Sequence, residues 1–222
     1  MSACHECLTL PACCPDRIKK GRGMINIFYR LGGKVDYFQS ETEFAKLERK
    51  DVIWIDLLDP TGEEKRATEQ FLGTEIQSRA QAEEIESSSR YSETVNTIAV
   101  NTDFLIPGPE NYAMESVSFQ IVGNVFTSIR QVPLRSFADI QRRVMFSRKM
   151  YPSGFHILLG ILENRIDLDA DEIELMSKEI SQYSKRVSLG EDVNEDLLLD
   201  INQLQENAMI VRENVVDKQR MI

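Results

Sequence analysis

The chain has 222 residues, and its 42% hydrophobic content is sufficient for an ordinary folded core. Its formal net charge of −10 argues against a nucleic-acid partner, because binding to a phosphate backbone requires clustered cations. No run of about eighteen or more apolar residues occurs, so these residues predict no membrane-spanning helix.

Residues 1–23 are interpreted as a flexible leader that contains all four cysteines. A zinc site is left open as an alternative, because His5 lies between Cys4 and Cys7 and the pair Cys13-Cys14 follows them. Structural zinc sites usually present two spaced pairs of ligands on turns that a core supports, which favours the leader.

Residues 24–152 are predicted to form an α/β domain. It opens with a β-hairpin, 25–29 and 35–38, around a turn with two glycines. Ser40 to Glu43 has the spacing of a capping box and predicts a short helix. The continuous apolar run 52–57 is typical of a strand that is buried on both faces.

The rest of this domain mixes helices and strands. A second capping box at Thr61 starts a helix that ends near Gly73, and a helical stretch over about 75–86 follows. Three strands and one further helix are then predicted at 94–104, 112–122, 125–130 and 134–150. This order predicts a mixed β-sheet flanked by helices, which is an α/β (α+β) fold.

Residues 153–222 predict a long antiparallel helical hairpin. Apolar residues recur at intervals of three and four residues from Leu158 to Val187, and Asp169 interrupts this apolar stripe. Gly190 is a stop signal and Asn194 a cap, after which a second periodic run reaches Ile222. Because no stop signal follows, we expect this helix to continue past residue 222.

The negative charge is concentrated in the predicted hairpin. Thirteen acidic and four basic residues lie between Glu163 and Glu206, so this segment carries nine of the ten net negative charges. One interpretation is a solvated helix face. The other is an electrostatic surface that faces hydrated cations or a basic element.

Familiar catalytic motifs are absent, because the sequence has no P-loop, no dinucleotide-binding glycine turn and no nucleophile elbow. The only two histidines, His5 and His156, offer little material for a His-based triad or a two-His metal site, and we expect no enzyme. Glu83, Glu84 and Glu86 form the densest carboxylate group outside the hairpin, and oxygen ligands suit Mg²⁺. An exposed acidic helix end is the alternative.

Several blocks occur in a characteristic order and spacing: Trp54 to Thr61 followed by Glu63-Glu64, Phe71-Leu72-Gly73, Glu83-Glu84-Ile85 with Arg90 and Glu93, and Val125 to Arg130. In these blocks the chain resembles the cytosolic domain of the CorA family of divalent-cation transporters. The resemblance covers nearly everything from Met24 to Ile222.

The resemblance implies a homopentameric transporter in the cell inner membrane, with these residues on the cytoplasmic side and the membrane helices beyond them. It also implies that the helical hairpin leads into a stalk helix, which is truncated in this sequence. It implies that Mg²⁺, or alternatively Co²⁺ or Zn²⁺, binds between subunits and regulates the pore. The metal ligands then fall on Glu83, Glu84 and Glu163. A protein of another class, a soluble helical-hairpin scaffold without a transport role, is the alternative.

Overall fold

The computed structural model describes residues 23–76, 90–147, 150–190 and 194–221. Two predictions lie outside the described residues. They are the leader with its possible zinc ligands and most of the helical stretch that carries Glu83 and Glu84.

Seven strands and four α-helices make up the described fold. The strands are β1 (Met24–Leu31), β2 (Lys34–Phe38), β3 (Val52–Leu58), β4 (Tyr91–Glu93), β5 (Thr97–Ile106), β6 (Ala113–Val122) and β7 (Val125–Arg130). The helices are α1 (Gly62–Leu72), α2 (Arg135–Phe146), α3 (Gly154–Leu189) and α4 (Glu195–Met221), and a short 3-10 helix spans Glu41–Lys46.

All seven strands form one mixed sheet in the order β2-β1-β3-β7-β6-β5-β4. Only β3 and β7 pair in parallel, and their register places Asp56 opposite Ser128 and Leu58 opposite Arg130. All seven residues of β3 are buried, which confirms the prediction of a central strand covered on both faces.

Each face of the sheet has its own apolar core. On one face, Ile55 and Leu57 pack with Leu72 of α1 and Phe44 of the 3-10 helix. On the other face, Trp54 and Phe126 pack with residues of α2 and with the first turns of α3. Trp54 and Ile55 therefore point to opposite layers, as the two-residue period of a strand requires.

The two long helices pack antiparallel as a hairpin, and β5 lies beneath them. Met176 of α3 and Leu204 and Val211 of α4 form a small apolar cluster with Leu105 of β5. A hydrogen bond from Asn214 to Asp169 fixes the register near the base of the hairpin. The predicted helical hairpin is confirmed.

The structure adds one strand to the sequence predictions and moves several boundaries. Strand β5, for example, spans Thr97–Ile106 rather than 94–104. Strand β4 is not predicted because its three residues are all exposed and give no apolar alternation. Helix α2 ends at Phe146 rather than near residue 150, and Ser147 leaves the helical conformation with a φ of −121° and a ψ of 69°.

Candidate functional site

A buried polar network crosses the centre of the sheet. The Asp56 carboxylate accepts hydrogen bonds from Ser128 Oγ at 2.8 Å, from Arg130 Nη2 at 2.7 Å and from Gln141 Nε2 at 2.8 Å. Trp54 Nε1 donates to the same Ser128 hydroxyl at 2.9 Å. Because Asp56 is fully buried, these partners offset the desolvation of its charge.

The sharp turn after β3 explains the block from Asp59 to Thr61. Asp59 has a φ of 46°, a region that non-glycine residues rarely occupy, and its N–H donates to the Arg130 carbonyl at 2.8 Å. Thr61 and Glu64 then form the predicted capping box at the start of α1. These residues therefore fix α1 on the sheet.

A second polar network lies where the hairpin meets β5, and we call it the charged joint. It comprises three cations and three anions: Arg90, Arg165, Lys218, Asp103, Asp169 and Asp217. Each of these side chains is at most 19% exposed. The formal charges cancel, so the joint is electrically balanced in a largely buried position.

The α3 side of the charged joint centres on Asp169. One carboxylate oxygen accepts from Arg165 Nε at 2.8 Å, four residues earlier on the same helix. The other accepts from Asn214 Nδ2 at 3.1 Å and lies 3.1 Å from Lys218 Nζ. Lys218 also donates to the Asp103 carbonyl at 3.2 Å, so this lysine bonds to α3 and β5 at once.

The sheet side of the charged joint centres on Asp217. Its Oδ2 accepts from Thr102 Oγ1 at 3.1 Å and from the backbone N–H of Asp103 at 3.0 Å. Its Oδ1 is in ion-pair contact with Arg90, whose Nη2 lies 2.8 Å from Asp103 Oδ2. Asp217 thus links α4 to β5 and to the residue that precedes β4.

Burial and aromatic contact both act on Lys218. Burial lowers the pKa of its ammonium, while the negative charge of Asp169 opposes that shift. The Phe104 ring centroid lies 5.7 Å from Lys218 Nζ and 5.8 Å from the Arg165 guanidinium carbon, on the face where ring quadrupoles attract cations. Two cations of the charged joint therefore lie against an aromatic side chain of the sheet.

A second attachment ties the middle of the hairpin to the loop between β5 and β6. The Tyr112 hydroxyl donates to Glu172 Oε2 at 2.9 Å, and the Tyr112 N–H donates to Asn207 Oδ1 at 3.0 Å. Asn207 Nδ2 returns a bond to the Glu110 carbonyl at 2.9 Å. Burial and then the bond to Glu172 raise the pKa of Tyr112 to about 12.

Of the three predicted metal ligands, only Glu163 lies among the described residues. It is on α3 and is exposed, whereas Glu83 and Glu84 are outside the described residues. Within the described ranges, no group of three or more His, Cys, Asp or Glu side chains is arranged to hold a metal ion. The site of three carboxylate ligands therefore stays a prediction.

The sequence gives only a partial signal for the charged joint. Asp169 stands out because it interrupts an apolar stripe, and Arg165 lies four residues before it on the same helix. Asp217 and Lys218 lie in a helical segment whose alternation of polar and apolar residues does not single them out. Arg90 and Asp103 belong to a different part of the chain. Their convergence follows only from the packing of α4 on β5.

The comparisons with known proteins give the family. A family model described as "CorA-like Mg2+ transporter protein" matches residues 49–222. The chain belongs to the CorA family. This confirms the resemblance found in the sequence blocks.

Curated CorA proteins are similar over most of this chain. The magnesium transport protein CorA of Wolinella succinogenes is 31% identical over 204 residues, which cover 90% of this chain and 64% of the relative. The protein of the same name in Campylobacter jejuni strain RM1221 is 33% identical over 184 residues, with coverage of 77% and 56%. This CorA-family chain therefore spans less than two thirds of the length of either relative.

Solved structures show the same CorA fold. The soluble domain of CorA from Methanocaldococcus jannaschii matches with a TM-score of 0.67 and 12% identity, over 89% of this chain and 76% of that one. The complete CorA structure from the same organism gives 0.63 at 12% identity, over 88% and 60%. These matches confirm the mixed sheet with flanking helices and a long helix.

Among the helices of this CorA-family chain that the structure describes, none combines the length and the apolar character needed to cross a membrane. The longest, α3, has 36 residues, and acidic residues recur along it from Glu163 to Glu179.

Proposed function

We propose that this chain is the ion-sensing cytosolic part of a CorA-like divalent-cation transporter. The observation that carries the proposal is the family match across residues 49–222, together with the fold shared with the soluble domain of an archaeal CorA. The relatives that the chain matches are named magnesium transport proteins, which makes Mg²⁺ the first candidate for the ion. Co²⁺ and Zn²⁺ are the alternatives.

We also infer how the full-length protein assembles and where it is located. The full-length protein is a homopentamer in the cell inner membrane, and residues 1–222 lie on its cytoplasmic side. The chain is divided into three parts. They are a leader (1–23), an α/β domain (24–152) and an acidic hairpin with the start of a stalk helix (153–222). Nucleic acid is not a partner, since the net charge of −10 repels a phosphate backbone.

In the proposed site, Glu83 and Glu84 of one subunit share an ion with Glu163 of a neighbour. The exposure of Glu163 on α3 supports this role, because an exposed side chain is accessible to an ion and to a second chain. Carboxylate oxygens are the ligands that Mg²⁺ prefers in proteins. An ion shared between two subunits stabilises only the arrangement in which both are close, so ion binding shifts a two-state equilibrium.

Calorimetric titration with MgCl₂ tests the site. We expect the double variant Glu83→Ala/Glu84→Ala and the single variant Glu163→Ala each to weaken Mg²⁺ binding by about tenfold or more, a loss of about 1.4 kcal/mol. Asp171→Ala is the matched control, because Asp171 is an exposed acid on the same helix and is not a predicted ligand. Identical titrations for all four proteins would remove these residues from the site.

The reading frame downstream of Ile222 tests the transporter against the scaffold alternative. Two apolar stretches of about 20 residues each would support the transporter, because that length crosses a bilayer as a helix. A full-length reading frame without such stretches would contradict the proposal.

A further inference from the structure

Two kinds of contact hold the hairpin on the sheet. The apolar cluster of Met176, Leu204 and Val211 on Leu105 is non-directional, because hydrophobic burial depends on area rather than on the exact position of each atom. The charged joint is directional, because its hydrogen bonds require defined distances and angles. The joint therefore adds position-specific contacts between α4 and β5 to the apolar packing.

Within the charged joint, Asp217 is the α4 residue that contacts the sheet side most extensively. Its two oxygens meet the Thr102 hydroxyl, the Asp103 N–H and the Arg90 guanidinium, which belong to β5 and to the residue before β4. Lys218, its neighbour, faces Asp169 of α3 as well as β5. The Asp217 carboxylate therefore connects α4 directly to β5 and to Arg90.

We propose that Asp217 is a positioning residue that couples α4 to the α/β domain, so that a change in the domain on ion binding alters the position of α4. This inference rests on the proposed ion-sensing function. The charges that face Asp217 are cationic Arg90 from the strand side, Asp103 beside that arginine, and Lys218 on its own helix. Loss of the Asp217 charge leaves Arg90 paired with Asp103 alone among the described residues.

The chain offers a matched pair of variants. Asp217→Asn removes the carboxylate that Arg90 shares with α4, and Asp103→Asn removes the carboxylate that Arg90 shares with β5. Both substitutions keep the size of the side chain and delete one anionic partner of the same arginine. Thr102→Val is a milder third variant, because it removes one hydrogen bond to Asp217 and leaves its ion pair in place.

The experiment measures amide hydrogen exchange of the 222-residue chain with and without saturating MgCl₂, alongside Mg²⁺ affinity by calorimetry. We expect Mg²⁺ to slow exchange in α4 of the wild type by about threefold or more, and Asp103→Asn to retain that response. We expect Asp217→Asn to bind Mg²⁺ with an affinity within about twofold of the wild-type value and to lose the slowing of exchange in α4. We expect Thr102→Val to show a smaller slowing of exchange in α4 than the wild type. A structural role alone would change exchange equally with and without Mg²⁺.

Two results would overturn the coupling while leaving the ion site intact. One is an α4 response in Asp217→Asn equal to that of the wild type, and the other is Mg²⁺ binding to the wild type with no change in α4. If Asp217→Asn fails to fold, an α4 response in Thr102→Val that equals the wild-type response overturns the proposal. The absence of any Mg²⁺ binding by the wild type contradicts the proposed function and the coupling with it.

Discussion

The Lys218 ammonium on α4 lies 3.1 Å from the Asp169 carboxylate on α3, and both side chains are largely buried. Asp169 is the acidic residue that interrupts the apolar stripe of α3, and Lys218 is the α4 cation that pairs with it. The pair joins the two helices at the base of the hairpin, close to β5. A polar residue in an otherwise apolar stripe thus marks the place where three elements meet.

Substitution of Lys218 by Met should destabilise the fold. It removes one buried charged partner of the Asp169 carboxylate, which keeps Arg165 and Asn214 among the described residues, so we expect a loss of about 1.5–3 kcal/mol. Urea denaturation measures the loss. Lys178→Met is the control, because Lys178 and Glu174 form a pair whose side chains are 66% and 67% exposed, and such pairs contribute about 0–1 kcal/mol. Equal losses in the two variants would contradict the structural role of the buried pair.

Substitution of Gly154 by Ala should also be destabilising. A Cβ at this position would lie 2.6 Å from Phe126 Cβ and 2.7 Å from the Phe126 backbone nitrogen, so α3 would have to move away from β7. Overpacking of this kind costs about 1–3 kcal/mol. At Gly62, in the first turn of α1, a Cβ meets only an arginine side-chain atom at 4.0 Å, so Gly62→Ala should be neutral or slightly stabilising. Thermal unfolding of both variants tests the contrast, and an unchanged melting temperature for Gly154→Ala would contradict it.

Apolar residues of α3 that face away from the core should tolerate truncation. Ile173 and Ile180 keep 42% and 50% of their surface exposed, although they belong to the apolar stripe of the sequence. We expect the double substitution to Ala to change the free energy of unfolding by less than about 1 kcal/mol. Ile161→Ala, at a fully buried position of the same helix, should cost about 2–5 kcal/mol. A large loss in the double variant would show that these side chains are covered in solution.

Stability should fall at high pH through Tyr112. Its pKa in the folded protein is about 12, above the value near 10 of an unfolded chain, so folding favours the neutral phenol. The contribution is complete below about pH 10 and is lost as the pH rises towards 12. Urea denaturation across this range, compared with Tyr112→Phe, measures the effect. The variant should show a shallower decline, and parallel curves would contradict the assignment.

Much of the fold follows from local patterns in the sequence. The apolar run of β3, the capping box of Thr61 and Glu64, and the glycine at residue 190 each act within a few neighbouring residues, so periodicity and turn chemistry identify them. Strand β4 escapes such reasoning because its three exposed residues are ordered only by pairing with β5.

The sequence by itself determined the family, the mixed sheet with helices, and the acidic hairpin with Asp169 as its one unexplained interruption. Only the tertiary structure decided which charges neutralise Asp169 and Asp217, because Arg90, Asp103 and Lys218 are distant in sequence and converge through the packing of α4 on β5. It also decided which half of the α3 stripe is buried. Helical periodicity gives an apolar face, but the position of the sheet and of α4 selects the residues that lose contact with water.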